Sequence, residues 1–545
     1  MNKKVRELEA MRQEARRLVE SVGLDPTPVI FGVVDYDQLN EYSAYDGFPE
    51  RFPHWSFGMS YDYFRKRSAY SGWWTYELVL NTDPAIAFLR ESNTPVENKG
   101  VMIHVYGHAD FFKNNRWFSK TPKDMIKVMH THAQRIEEYM NKHGVEKVES
   151  FIDKALSIQY EIDQYAPFIK RRWRENEENG EESREGQDPR RIPVKRDYMD
   201  RFVNPPAWIE ERRARLKSRH EQQLKRFQEE TELAKPQKDL LAFLAKYGRL
   251  ENWQKDILAM IREESLYFVP QMQTKIMNEG WAMLWQSKLM AGFAAPEEFV
   301  DHADMASKVL AGGVVNPYAL GKLIWEDIKE RWDKGRFGRE WELCQDPEKR
   351  KRWDTKANLG TEKIFEVRRN YNDVTFLAEF FTEELYEKLR LFTYEYIPET
   401  GAYHITSRDF ADVKRKLLFQ HTNLGRPVIK VATGNYGNKG ELLLLHMYNG
   451  VGLNLEEAKE VLKNIYVMWG RPVNLKTIIK RKVKDPDPMR NRIHPERPLT
   501  AVYEEQGVLL RFDGESVREL ALSSDEVKEI RLDEDYSTVP QEWIG

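Results

Sequence analysis

The stretch Val101-Met102-Ile103-His104-Val105-Tyr106-Gly107-His108-Ala109-Asp110-Phe111-Phe112 decides how this chain is read. It is apolar along most of its length, so a helix here is buried on most sides. His104 and His108 then stand one turn apart on one face, where their ring nitrogens can converge on a single cation. The same spacing also suits two hydrogen-bonded core imidazoles. A third ligand would favour the cation, and the candidate lies in Ile276-Met277-Asn278-Glu279-Gly280-Trp281-Ala282-Met283-Leu284-Trp285-Gln286. This helix too is apolar nearly all round, and a buried carboxylate is costly unless a cation or donors compensate it. A salt bridge from Lys275 is one way to satisfy Glu279; a metal shared with His104 and His108 is the other.

The chain around these helices is 545 residues long, 41% hydrophobic and 12% aromatic, enough for substantial cores. Lys and Arg number 85 against 88 Asp and Glu, so the balance draws the whole chain toward neither nucleic acid nor an anionic membrane. The single Cys344 excludes an intrachain disulfide framework and any multi-Cys zinc site, as fits a reducing cytosol. The charged start and the lack of a long apolar run predict a cytoplasmic protein with no membrane span.

Residues 4–22 recur apolar at helical spacing, stopped by Gly23 and Pro26. Residues 42–76 mix Gly and Pro with large rings and read as an irregular segment that wraps a helical body. Two helices flank Gly144 as a hairpin. Residues 170–200 hold almost nothing to bury and read as a mobile insertion. Helices run densely from 237 to about 335 and dominate to 396. Strand texture follows: Pro427–Thr433 and Glu441–Tyr448 join through Gly434-Asn-Tyr-Gly-Asn-Lys-Gly440, a hairpin signal rather than a phosphate loop. A helix is expected at 455–468. Thr500–Tyr503 and Val508–Phe512 read as two more strands about a turn. The basic runs Arg212–Lys225 and Lys476–Lys484 lack aromatic interleaving and read as solvated faces, so no nucleic-acid partner is expected. The fold class is thus a mainly α N-terminal body, residues 1–397, and a small α+β C-terminal domain, residues 398–545.

Several long stretches carry a resemblance. His104-Val-Tyr-Gly-His108-Ala-Asp-Phe-Phe-Lys-Asn-Asn115, Tyr76-Glu77-Leu-Val-Leu-Asn81, Tyr267-Phe-Val-Pro-Gln-Met-Gln-Thr-Lys-Ile-Met-Asn-Glu279-Gly-Trp-Ala282, Asn316-Pro-Tyr-Ala-Leu-Gly321 and Met468-Trp-Gly-Arg-Pro-Val473 resemble the SpoVR family, stage V sporulation protein R. The resemblance implies a cytoplasmic bacterial protein needed for spore cortex assembly in spore formers. It also implies genetic association with a serine protein kinase and a von Willebrand-like protein. A weaker resemblance is to gluzincin metallopeptidases, in which two histidines on one helix and a glutamate on another hold zinc, and it implies zincin-like helices in the mainly α N-terminal body. His104, His108 and Glu279 match those ligands, which makes zinc the implied cofactor. Those peptidases place a Glu directly after the first His as general base; here that residue is Val105.

Other bases are therefore considered: Glu77, Glu264 and Tyr106, the last as a donor to an oxyanion. Each can equally be structural, Glu264 through a basic neighbour. Gln286 lies two turns past Glu279, where the resemblance implies a histidine; glutamine is a poor zinc ligand but can orient one by hydrogen bond. His132 can approach from a neighbouring helix, whereas His130 diverges from it. Asp110 can accept from a ligand's second nitrogen only if the helix ends there. Two functions follow: a zinc-dependent hydrolase-like protein acting on an amide of peptide or peptidoglycan-precursor type, with a metal-held water as nucleophile, or a silent regulatory scaffold with a structural metal or none.

Overall fold

The computed structural model describes residues 3–71, 77–168, 204–205, 210, 237–310, 316–397, 402–482 and 503–532. The expected insertion at 170–200 and the basic run at 212–225 lie outside them. The chain opens with α1 (Lys3–Ser21), β1 (Val29–Val34), α2 (Tyr36–Ala44), α3 (Trp55–Ser71), β2 (Glu77–Leu80), β3 (Ala85–Arg90) and α4 (Pro95–Asn114). The hairpin α5 (Met125–His143) and α6 (Val145–Leu156) follows, turning at Gly144 with φ +92°. Then come α7 (Leu240–Tyr247), α8 (Asn252–Gln273), α9 (Lys275–Phe293), α10 (Phe299–Leu310) and α11 (Pro317–Asp333). Five shorter helices and two strands continue: α12 (Gly338–Glu342), α13 (Pro347–Lys351), α14 (Gly360–Asn370), α15 (Asp373–Phe380), α16 (Glu383–Leu389), β4 (Thr393–Ile397) and β5 (Ala402–Ser407). The last part holds α17 (Phe410–His421), β6 (Ile429–Tyr436), β7 (Glu441–His446), α18 (Leu455–Trp469), β8 (Val473–Lys482), β9 (Tyr503–Phe512), β10 (Val517–Ala521) and α19 (Ser524–Ile530). No described helix is long and apolar enough to cross a membrane.

One hydrophobic core gathers α1, α4, α9, α11 and α14 to α17; a second joins α5 to α8 and α18 to one face of a five-stranded sheet ordered β10-β9-β8-β7-β6. Within β7 the alternation of a strand is plain: Leu442 and Leu444 face the helices, Leu443 and Leu445 the opposite face, where Ile530 of α19 packs. The residue 398 boundary falls between the antiparallel strands β4 and β5.

Two expectations are corrected, and one sheet adds to the sequence reading. Trp55–Ser71 is a helix, because Gly58 near its start is tolerated and its Phe57 packs against Phe52 and Tyr45. A three-stranded sheet, β1-β3-β2, precedes α4; β1 and β3 pair in parallel across a long connection that local pattern does not announce. Tyr503–Phe512 is one continuous strand, antiparallel to β8 over its whole length. The glycine taken for a turn, Gly507, instead marks a close approach: a Cβ there would lie 2.3 Å from Val527 Cγ2 of α19.

His446 closes β7 in a buried setting, its Nδ1 2.9 Å from Thr477 Oγ1. Burial pushes its pKa down to about 4 from 6.5. Because the folded value lies below the unfolded one, the neutral ring's stabilisation is complete above pH 6.5 and is lost as pH falls toward 4. A loss of about 3 kcal/mol across that window follows from 1.36 kcal/mol per unit. We expect chemical denaturation at pH 7 and pH 4.5 to show a smaller acid loss in His446→Gln than in the wild type; an equal loss would refute the assignment.

Candidate metal centre

Helix α4 starts with a capping box, Thr94 and Glu97 bonding each other's backbone N–H, with Pro95 in its first turn. Every residue from Gly100 to Phe112 is buried. Helix α9 begins immediately after α8, and its first N–H groups are capped from a distance: Ile276 N and Met277 N donate to the Asp373 carboxylate at 2.8 and 2.9 Å. Burial pushes that carboxyl up to about 7, against these bonds and the Lys275 charge.

Small residues let the central helices meet. A Cβ on Gly107 of α4 would lie 2.7 Å from Ala282 Cα of α9, and one on Gly280 would lie 2.3 Å from the Gly321 carbonyl carbon of α11. This contact brings His104, His108 and Glu279 together, with one donor atom from each lying within 4.8 Å of the others. Glu279 Oε2 is 3.5 Å from His104 Nε2 and 3.4 Å from His108 Nε2. Those separations are long for hydrogen bonds. They match the edges of a tetrahedron with bonds of about 2.0–2.1 Å, whose ligand atoms stand about 3.3–3.4 Å apart.

The far nitrogens are held by amides. His104 Nδ1 lies 2.8 Å from Gln286 Oε1, and His108 Nδ1 lies 2.9 Å from Asn278 Oδ1. An amide oxygen accepts only, so each Nδ1 carries a proton, and each Nε2, on the Glu279 side, is the nitrogen able to ligate an ion. A lone pair facing a carboxylate oxygen is repelled, so either a proton or a metal cation must stand between each Nε2 and Glu279. Glu279 Oε2 accepts no hydrogen bond, although it is fully buried. The other oxygen, Oε1, accepts from Lys275 Nζ at 2.5 Å. Burial pushes the Glu279 carboxyl up, but Lys275 and the two imidazoles outweigh it and hold it well below the usual carboxylate range. The donor set and its spacing fit a divalent ion.

Of the remaining predicted residues, Gln286 takes the orienting role just described. Asn278 was missed; its signal was that it is one of few polar residues in a buried helical stretch. Asp110 does not accept from a histidine, because α4 continues to Asn114 and points it elsewhere. Its carboxylate receives Arg368 Nη1 at 2.6 Å, Trp281 Nε1 at 2.9 Å and Asp25 N at 2.7 Å, tying three segments together. Tyr106 lies on the opposite face of α4, packed edge-on against Phe31 of β1. Glu264 belongs to a separate buried network, bonded to Arg51 Nη2 at 2.8 Å and to His132 Nδ1 at 2.8 Å. His132 thereby braces α5 on α8 and does not reach the centre. Glu77 pairs with Leu89 in the β2–β3 ladder; its side chain lies outside the described residues. Val105, after the first histidine, is wholly buried.

Two family models cover most of the chain: one described as SpoVR like protein matches residues 2–426, and one described as SpoVR-like C-terminal domain matches residues 427–480. A relative from Escherichia coli (strain K12), "Uncharacterized protein YcgB", is 29% identical over 502 residues, spanning 86% of this chain and 91% of its own. No solved structure gives a significant match.

Proposed function

The chain belongs to the SpoVR family, and from its buried two-histidine, one-glutamate centre we propose that it is a zinc-dependent, hydrolase-like protein acting on an amide. The observation that carries this reading is the convergence of both Nε2 atoms on Glu279 Oε2 at ligand-to-ligand spacing, with both Nδ1 protons committed to amides. His104, His108 and Glu279 would hold the ion. Three protein ligands, the set found among the described residues, is the number used where a position is kept for water or substrate. A zinc ion there supplies Lewis acidity, which activates water and polarises a carbonyl. Gln286 and Asn278 fix the tautomers and keep both rings pointed inward. The family resemblance supports a role in cortex formation in spore formers; in this proposal the substrate is a peptide or peptidoglycan-precursor amide, and a serine protein kinase and a von Willebrand-like protein are the associates.

A second reading, a regulatory scaffold with a structural metal, is favoured by one observation: neither Tyr106 nor Glu264 reaches the centre, and Val105 occupies the position of the usual base. The full chain is purified without chelator, its zinc measured by elemental mass spectrometry, and amide cleavage followed on a synthetic peptidoglycan-precursor peptide. About one zinc per chain with chelator-sensitive cleavage is expected. Stoichiometric zinc without cleavage of any amide offered supports the scaffold instead.

A further inference from the structure

Among the described residues the centre holds a single carboxylate within ligand distance, and both histidines are backed by neutral amides. Metal-binding histidines are more often backed by carboxylates or carbonyls, and a carboxylate there would return negative charge to the site. Here the charged group bonded to the ligand carboxylate is a cation. Lys275 Nζ stands 2.5 Å from Glu279 Oε1, which leaves Glu279 only Oε2 as a donor. A divalent ion, one carboxylate and one ammonium sum to two positive charges. Asp373, which sits on the N–H groups of Ile276 and Met277, lowers that sum by one charge at most. Asp110 is already matched by Arg368. A buried surplus of positive charge is costly unless an anion answers it.

A side chain bonded to the centre and reaching solvent has the same sign. His104, His108 and Glu279 are buried, whereas the Lys275 side chain, bonded directly to Glu279, is 56% exposed. A solute reaching the centre along Lys275 meets its ammonium first. Resting on the metal reading above, we infer that the centre takes a small oxyanion of carboxylate or phosphate type as its exogenous ligand, admitted past Lys275. On this view the substrate or regulator presents a carboxylate or phosphate oxygen to the centre, and Lys275 is a positioning residue that fixes Glu279 in one-oxygen ligation.

The test uses the full chain loaded with cobalt(II), whose visible spectrum reports the ligands of the ion. Acetate, inorganic phosphate and the neutral probe acetamide are titrated separately. Saturable spectral change with acetate or phosphate, and none with acetamide, is expected; the two anions separate a carboxylate from a phosphate source. Lys275→Met should retain cobalt and bind the anion about tenfold more weakly, the effect of roughly 1.4 kcal/mol, while Lys275→Arg should stay near wild type. Bound cobalt whose spectrum answers acetamide as well as the anions, or answers none of them, overturns the inference and leaves the metal reading intact. Failure of the wild type to bind cobalt overturns both. If Lys275→Met loses its cobalt, the wild-type comparison of acetate with acetamide still decides.

Discussion

His104→Ala, His108→Ala and Glu279→Ala should each leave the purified chain without zinc, whereas the wild type carries about one ion. A zinc centre contributes roughly 10–16 kcal/mol in small domains, so each of three ligands stands for several kcal/mol and its loss for about 10³-fold or more in affinity. Gln286→Ala and Asn278→Ala remove only the acceptors of the Nδ1 protons. They should weaken zinc by about 10- to 100-fold and leave the ligands in place. Thermal melting gives a second reading of the same coupling. An ion bound by the native state alone raises stability with its concentration, so added zinc should raise the wild-type Tm and leave the Glu279→Ala Tm unmoved. The contrary result is equally concrete. A wild type without metal, with variants that are merely less stable, would make His104 and His108 core imidazoles and the Lys275–Glu279 pair the full account of the buried carboxylate.

The centre was legible because its signals are local. Two histidines at helical spacing in an apolar run, and one glutamate in another, need only the helical period and the cost of a buried charge to be noticed. What stayed hidden depends on partners far away in the chain. Asn278 is recognisable as an orienting group only when α9 lies on α4 and its amide meets His108. Glu264 looked like a spare base because its partners, Arg51 and His132, come from an irregular segment and a separate helix. The same distinction runs through the fold. The hairpin at Gly144 and the β6–β7 turn carry their own turn residues, and the structure places both as expected. The parallel pair of β1 and β3 brings Val29 beside Ala85, a register that no turn between them fixes. Gly507 shows that a glycine in a strand has two meanings, a turn or a close neighbour, and only packing chooses between them.

The largest effect on folding is expected at a position with no side chain. In Gly321→Ala the new Cβ would lie 2.1 Å from Ile276 O and 2.8 Å from Gly280 Cα. Both are backbone atoms of α9, so no rotamer can move aside. The helices α9 and α11 must separate, and the bond from Trp325 Nε1 to Met277 O, 3.0 Å long, spans that interface. Overpacking of a close-packed core costs about 1–3 kcal/mol and more where backbone must shift, so Gly321→Ala should stand at or beyond the upper end. Separation of α9 from α11 also displaces the turn that carries Asn278 and Glu279, so zinc affinity should fall with stability, although Gly321 touches no ligand. Gly292→Ala, on the same helix α9 with nothing near its Cβ, provides the opposing case. Alanine there removes only the helix penalty of glycine, a gain of up to about 0.5–1 kcal/mol. Denaturant titration of the two variants should therefore give changes of opposite sign. A Gly321→Ala protein as stable as the wild type would mean that α9 and α11 do not meet backbone to backbone, and Glu279 would lose the support that aims it at the two histidines.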